Sequence, residues 1–138
     1  MNLSIKMIDR KPKKYGITGK IVIDDFVELF DSPLDWWSIE DYELQWKEGL
    51  KRLLDHDNSC LVVAINDPNC CKFIEWWRLY KVGNKVYIRN SIIIADIYNE
   101  FIGDKQFTAQ TCYDFIPERG STYDEDGSKI SEWVIDWK

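Results

Sequence analysis

The chain carries one histidine, His56, among 138 residues, and that scarcity narrows its chemistry. General acid–base and nucleophilic mechanisms need a base placed beside a reacting group. His56 sits between Asp55 and Asp57 just past a helical stretch, where a solvated side chain near the negative helix end is expected. No Ser–His–Asp set can be assembled around it, so no catalytic residue is assigned. The four cysteines, Cys60, Cys70, Cys71 and Cys112, lack CxxC spacing and offer no ligand pattern for tetrahedral zinc. They read as reduced thiols acting as small buried hydrophobes. Asp124, Glu125 and Asp126 are followed by Gly127, which does not match the ligand spacing of a calcium loop. GxxxxGK(S/T) and GxGxxG patterns are missing, so no cofactor and no metal are expected.

Positive charge is also in deficit. Against 24 Asp plus Glu stand 18 Lys plus Arg, a formal net charge of −6, which argues against nucleic acid and favours a basic protein partner. No apolar run reaches membrane-spanning length. The first residues alternate Leu3, Ile5 and Met7 instead of forming an unbroken secretory core, so a cytoplasmic protein with no membrane partner is expected.

What the chain does have is aromatic and β-branched character, concentrated between Phe73 and Ile94. Two β-rich runs flank Gly83-Asn84, a pair suited to a type II′ turn. That turn sets Val82 opposite Lys85, Tyr80 opposite Tyr87, Leu79 opposite Ile88 and Arg78 opposite Arg89. One face then holds Trp77, Leu79, Val86 and Ile88, a core set. The other holds Trp76, Arg78, Tyr80, Tyr87 and Arg89. Two arginines directly across a ladder repel, so this second face must meet acids, stack on its own rings or be covered.

The remaining elements follow from periodicity. Strands are expected at Leu3 to Ile8 and from Ile17 to Ile23, and residues 17–30 read either as one bent strand or as a hairpin. At Ser38 the period changes to about 3.6 residues, and a principal helix is expected from about 38 to 54. Ser38 and Asp41 form its capping box, and Ile39, Tyr42, Trp46, Gly49, Leu50 and Leu53 its inward stripe. Ser59 to Ile65 lacks a polar face and reads as a strand covered on both sides. With a turn at Asp67-Pro68-Asn69 it should join the hairpin in an antiparallel meander. Residues 95–107 fit strand or helix equally. Thr108 to Ile116 fits a short helix capped by Thr108, stapled by Phe107 with Cys112 and stopped by Pro117. A last strand, Lys129 to Trp137, should place Trp133, Ile135 and Trp137 on one face. The sum is an α+β chain with antiparallel sheets, long enough for a single domain over 1–138 that buries about two thirds of its unfolded surface.

The order and spacing of several short motifs carry a resemblance. They are Trp37-Ser38-Ile39-Glu40-Asp41-Tyr42 with Trp46, Asp67-Pro68, Trp77-x-Leu79-Tyr80, Val86-Tyr87-Ile88-x-Asn90, Phe115-Ile116-x-x-Arg119 and Asp126-Gly127-x-Lys129-Ile130-Ser131-Glu132-Trp133. Over roughly Asp24 to Trp133 the chain resembles the CdiI-type immunity proteins of bacterial contact-dependent growth inhibition. The resemblance implies a strongly twisted, Whirly-like α+β fold. It also implies a non-enzymatic function: stoichiometric binding to the toxic C-terminal domain, often a nuclease, of a CdiA-like exoprotein. The family's toxin-binding positions cannot be carried over to this chain, because immunity proteins pair with different toxins.

Charge therefore has to nominate the contact surface. Asp124, Glu125 and Asp126, with Asp114 and Glu118 nearby in sequence, present carboxylates to a basic groove and are the first candidate. Trp76, Arg78, Tyr80, Tyr87 and Arg89 are the second, although a basic toxin would repel their arginines. The helix acids Glu40, Asp41 and Glu43 come third. A single-stranded nucleic-acid binder using the aromatic and cationic hairpin face is the alternative function, opposed by the sign of the net charge.

Overall fold

The computed structural model describes residues 2–67, 73–94, 106–123 and 125–137. Strands β1 (Leu3–Met7), β2 (Ile17–Ile23) and β3 (Phe26–Ser32) form one antiparallel sheet in the order β1-β2-β3. The second sheet is β4 (Asn58–Ile65), β5 (Ile74–Val82), β6 (Lys85–Ile93) and β7 (Trp133–Asp136), also antiparallel and in sequence order. Helix α1 (Ile39–Arg52) joins the two. Residues 17–30 are a hairpin, since Ile23 pairs with Phe26 and Asp24 turns the chain at φ 51°, a left-handed conformation that Asp tolerates better than most side chains.

The β5–β6 hairpin has the expected register, with Val82 on Lys85 and Arg78 on Arg89. Gly83 alone takes positive φ in its turn, 63°, as a II′ turn requires. The face with Trp77 and Ile88 packs beneath the first sheet, where Phe26 lies 4.7 Å from Trp133 and 6.2 Å from Trp77, ring to ring. Ile135 is buried, and Trp133 and Trp137 pack against the same cluster. β7 is shorter than the run Lys129 to Trp137, because Ile130 N–H donates to the Thr122 carbonyl and Lys129 bridges Tyr123. Those residues close a loop instead of extending the sheet.

Helix α1 starts as the sequence dictates. The Ser38 hydroxyl accepts from the Asp41 amide, and Asp41 returns a bond to the Ser38 amide. It ends at Arg52, two residues before the expected Leu54. Its inward side runs along the outer edge of β4. There Gln45 donates to the Cys60 carbonyl and accepts from the Val62 amide, both at 2.7 Å. Trp46 Nε1 donates to the Val62 carbonyl, the Tyr42 hydroxyl accepts from the Ile65 amide and Arg52 Nε donates to the Asn58 carbonyl. A bulge between Val62 and Ala64 turns the Val63 carbonyl to the buried Ser32 hydroxyl at 2.6 Å. Such proximity needs Gly49, because a Cβ there would stand 2.5 Å from the Cys60 carbonyl oxygen.

The expected helix from Thr108 to Ile116 is only a 3-10 turn, Cys112–Phe115. Thr108 does cap, accepting from the Gln110 and Thr111 amides. Thr111, however, spends its hydroxyl on the Gln106 carbonyl and the Thr108 amide, and such local bonds compete with helical ones. Phe107 turns inward to Trp76, at 5.6 Å, and to Trp37. Residues 106–123 thus form a strap over the second hairpin face. Tyr80 donates to the Pro117 carbonyl, and Arg89 donates to the Arg119 and Ser121 carbonyls. The Glu132 carboxylate, just before β7, takes Arg89 at 2.7 Å and a forked pair from Arg119 at 2.9 and 2.6 Å. Arg119 also lies 4.0 Å above the Tyr87 ring. The bonds from Arg119 and Arg89 hold the Glu132 carboxyl below the usual glutamate range against the opposing effect of burial.

Two outcomes follow for stability. Gln45→Met keeps the side-chain volume but orphans two buried backbone groups, so it should cost roughly 2–5 kcal/mol, while Lys47→Met on the solvated side changes little. Urea denaturation checks both. A depressed carboxyl stabilises the fold above the unfolded-state value and loses that contribution as pH falls through the usual glutamate range. Wild-type stability should therefore drop with acidification more steeply than that of Glu132→Gln, which itself costs roughly 3 kcal/mol near neutral pH.

Candidate functional site

The acidic candidates lie on the strap and its return loop. Asp114 projects from the 3-10 turn, Glu118 follows Pro117, and Glu125 and Asp126 occupy the loop closed by Tyr123 and Lys129. All four are exposed; Asp124 lies outside the described residues. Among the described residues no ion pair involves Asp114, Glu118 or Glu125. The backbone beneath them is fixed by the Tyr80, Arg89 and Glu132 bonds, so these carboxylates stand on an anchored segment and remain in water. Charges of that kind act at long range on an approaching partner and cost nothing in desolvation before contact.

The helix acids are differently disposed. Asp41 is engaged in the capping box, and Glu43 takes Arg10 through both oxygens at 2.7 Å. Among the described residues Glu40, in the first turn, is the one of the three with no side-chain hydrogen bond.

The hairpin face named as second candidate is an inner surface. Trp76, Tyr80 and Arg89 are 1%, 6% and 3% exposed, because the strap lies on them. The conditions set by two opposed arginines are met together: Arg89 meets an acid, Arg119 stacks on Tyr87, and the face is covered. Arg78 and Tyr87 keep partial exposure. Burial raises the Tyr80 hydroxyl, with Arg78 and Arg89 pulling it back.

Several arrangements were not legible in the sequence. Cys60 and Cys112, 52 positions apart, meet with Sγ atoms 3.7 Å from each other, both fully buried and free. Burial pushes the Cys60 thiol well up, which makes it an inert packing group. Cys70 and Cys71 lie outside the described residues. Glu28 on β3 is raised, first by burial and then by Glu75 on β5, so two half-buried acids approach each other across the sheets. No spacing announces either pair, since each joins elements distant in sequence.

A cavity of about 280 Å³ at the end of α1 is lined by Glu48, Arg52, Asp55, His56 and Tyr113. His56 Nδ1 is 2.6 Å from the Asp55 carboxylate at the surface, and among the described residues no serine or cysteine lines the space. Among the described residues no group of three His, Cys, Asp or Glu side chains could hold a metal ion, and no helix is long and apolar enough to cross a membrane.

Comparison with known proteins matches residues 32–138 to the family described as the CdiI N-terminal domain. A relative called "Immunity protein CdiI", from Enterobacter cloacae subsp. cloacae, is 38% identical over 119 residues, which cover 86% of this chain and 77% of the relative. A solved structure titled "CdiA-CT/CdiI toxin and immunity complex from Enterobacter cloacae" superposes with a TM-score of 0.76 at 32% identity, over 97% of this chain and 90% of the other. The antiparallel sheets and single main helix built above are thus those of a solved immunity protein, and the family pattern spans well over half of the sequence: the chain belongs to the CdiI family.

Proposed function

We propose that this protein is the immunity partner of a contact-dependent inhibition toxin, binding the C-terminal domain of a cognate CdiA-type exoprotein and neutralising it stoichiometrically. The observation that carries this reading is the likeness, over nearly the whole chain, to an immunity protein solved in complex with its toxin. A cytoplasmic site of action and the lack of any turnover of its own belong to the same reading.

The contact surface in this proposal is acidic: Asp114 and Glu118 on the strap, and Asp124, Glu125 and Asp126 after it in sequence. A net charge of −6 draws a basic toxin, as a nuclease is wherever it holds phosphates, and anchored exposed acids orient the encounter. Masking a substrate groove needs no chemistry by the inhibitor. The alternative, a single-stranded nucleic-acid binder, would stack bases on Trp76 and Tyr80, and both are buried under the strap.

Co-expression with the toxin domain encoded beside it should rescue growth and yield a co-purifying complex; failure of both outcomes overturns the immunity reading. Within the complex, Glu118→Lys with Glu125→Lys should slow association by roughly 5- to 10-fold at low salt while thermal unfolding of the free protein stays unchanged. Association rates equal to wild type at every ionic strength would remove the strap as the steering element and leave Glu40 to be tested.

A further inference from the structure

Strand β3 ends the first sheet and bonds to β2 alone. The chain turns at Asp24-Asp25, so Ile23 and Phe26 make a hydrogen-bonded pair that repeats at every second residue. Glu28 and Phe30 therefore bond β2, while Val27 and Leu29 aim both N–H and C=O away from the sheet. The Thr18 carbonyl and the Asp24 amide, which bond the β1 side, fix the same alternation in β2. Among the described residues no hydrogen bond reaches the outward groups of Val27 and Leu29, and their side chains are 55% and 58% exposed. An open apolar edge of this kind is a template for another strand.

Beside the edge the second sheet makes a shelf. Phe26 packs on Trp77, which turns the β5 face with Glu75 and Trp77 toward the first sheet, and the register places Asn90 and Ile92 on that face too. Ile92 is nevertheless 48% exposed, and Glu75 and Asn90 are only half-buried, so the second sheet reaches past β3. Glu28 from β3 and Glu75 from the shelf bring two carboxylates to this step. Glu75 accepts from the Asn90 side-chain amide at 3.2 Å. Burial and then Glu75 raise the Glu28 carboxyl, and among the described residues no ion pair reaches Glu28.

We infer that the β3 edge takes an extended, basic segment of the toxin domain as an added strand, its backbone bonding Val27 and Leu29 and a Lys or Arg side chain meeting Glu28 and Glu75. This contact rests on the immunity reading and adds to it a second surface and a mode of docking. Charge selects the occupant. From Asp24 to Asp31 the chain holds four acids, Asp24, Asp25, Glu28 and Asp31, and no base. A second copy paired edge to edge would set these acids against their own kind, whereas a strand bearing Lys or Arg gains at the same positions. On the outer face Lys20 lies across from Leu29, so the partner's basic residues belong on the inner side by Glu28, and its apolar residues beside Val27 and Leu29. The edge also begins near the acidic loop, since Phe26 packs 4.7 Å from Trp133, and Lys129, which closes that loop, lies shortly before Trp133 in sequence.

Hydrogen exchange followed by NMR, on the free protein and on its complex with the toxin domain encoded beside it, tests the added strand. In the free protein the Val27 and Leu29 amides should exchange as open backbone while those of Glu28 and Phe30 are protected. In the complex, Val27 and Leu29 should slow by at least roughly 100-fold. Leu29→Pro deletes one outward donor without removing a bond to β2 and should weaken the complex roughly 10-fold. Glu28→Gln gives a reading that a folding defect cannot mimic: the free protein should be at least as stable as wild type, because a half-buried acid repelled by Glu75 is gone, while the complex weakens roughly 10-fold. Protection of Val27 and Leu29 in the free protein overturns the added strand, assigning the edge to a second copy where protection grows with protein concentration and to the chain itself where it does not. A complex that forms with both amides unslowed also overturns it and leaves the immunity reading intact. Failure of any complex to form overturns the immunity reading, and this contact with it.

Discussion

The structure depends on how the outer edge of β4 is satisfied. β4 is almost wholly buried, and it ends the second sheet, so the backbone groups facing away from β5 have neither a neighbouring strand nor water. Each such group left alone would cost about 1–3 kcal/mol. The chain meets them with side chains. Arg52 takes the Asn58 carbonyl, Gln45 the Cys60 carbonyl and the Val62 amide, Trp46 the Val62 carbonyl, Ser32 the Val63 carbonyl and Tyr42 the Ile65 amide. A helix laid along a sheet edge usually only covers it. Here the helix also supplies the hydrogen bonds of a missing strand.

That requirement propagates outward. It fixes α1 in rotation, because Tyr42, Gln45 and Trp46 must all face β4, and it demands Gly49 where the helix backbone comes closest. It places Ser32, the last residue of β3, against the bulge, so the first sheet is pinned to the second at that point. It reaches the strap as well, since Tyr113 exchanges bonds with the Gln45 side chain and carbonyl. The strap is then tied at its far end by Glu132, shared between Arg89 and Arg119. A segment with only one 3-10 turn of regular structure is held in this way by polar bonds at both ends and by Phe107 and Phe115 between them.

In the proposed function the partner meets what this frame leaves outside. The exposed carboxylates of the strap stand on backbone that cannot drift, which is the condition for charges to orient a partner as well as attract it. Among acids elsewhere, Asp41 is committed to the helix cap and Glu43 to Arg10. The opposite polarity of Arg89 and Arg119 is taken up inside by Glu132 and the strap carbonyls. An immunity protein has to recognise one toxin and refuse others, and charges held in fixed places discriminate better than net charge.

What the sequence by itself determined was whatever depends on neighbours along the chain. The β5–β6 register followed from Gly83-Asn84, the start of α1 from Ser38 and Asp41, the burial of β4 from its unbroken apolar run, and the family from ordered motifs. Each is set by local dihedral preference or by a period of 2 or 3.6 residues, and both are written in adjacent letters. Tertiary structure alone decided the rest. Gln45 reads as one more polar helix residue, and nothing local says that a strand edge waits for its amide. Glu132 sits in a motif that gave its position but not its two arginines. Thr108 promised a helix that Thr111 diverted into a turn, and the hairpin face that looked available to a partner was claimed by a strap whose course no periodicity encodes. Buried polar groups must find partners wherever the fold brings them, and those partners lie at separations, from Arg89 to Glu132 or from Cys60 to Cys112, over which the sequence carries no pattern.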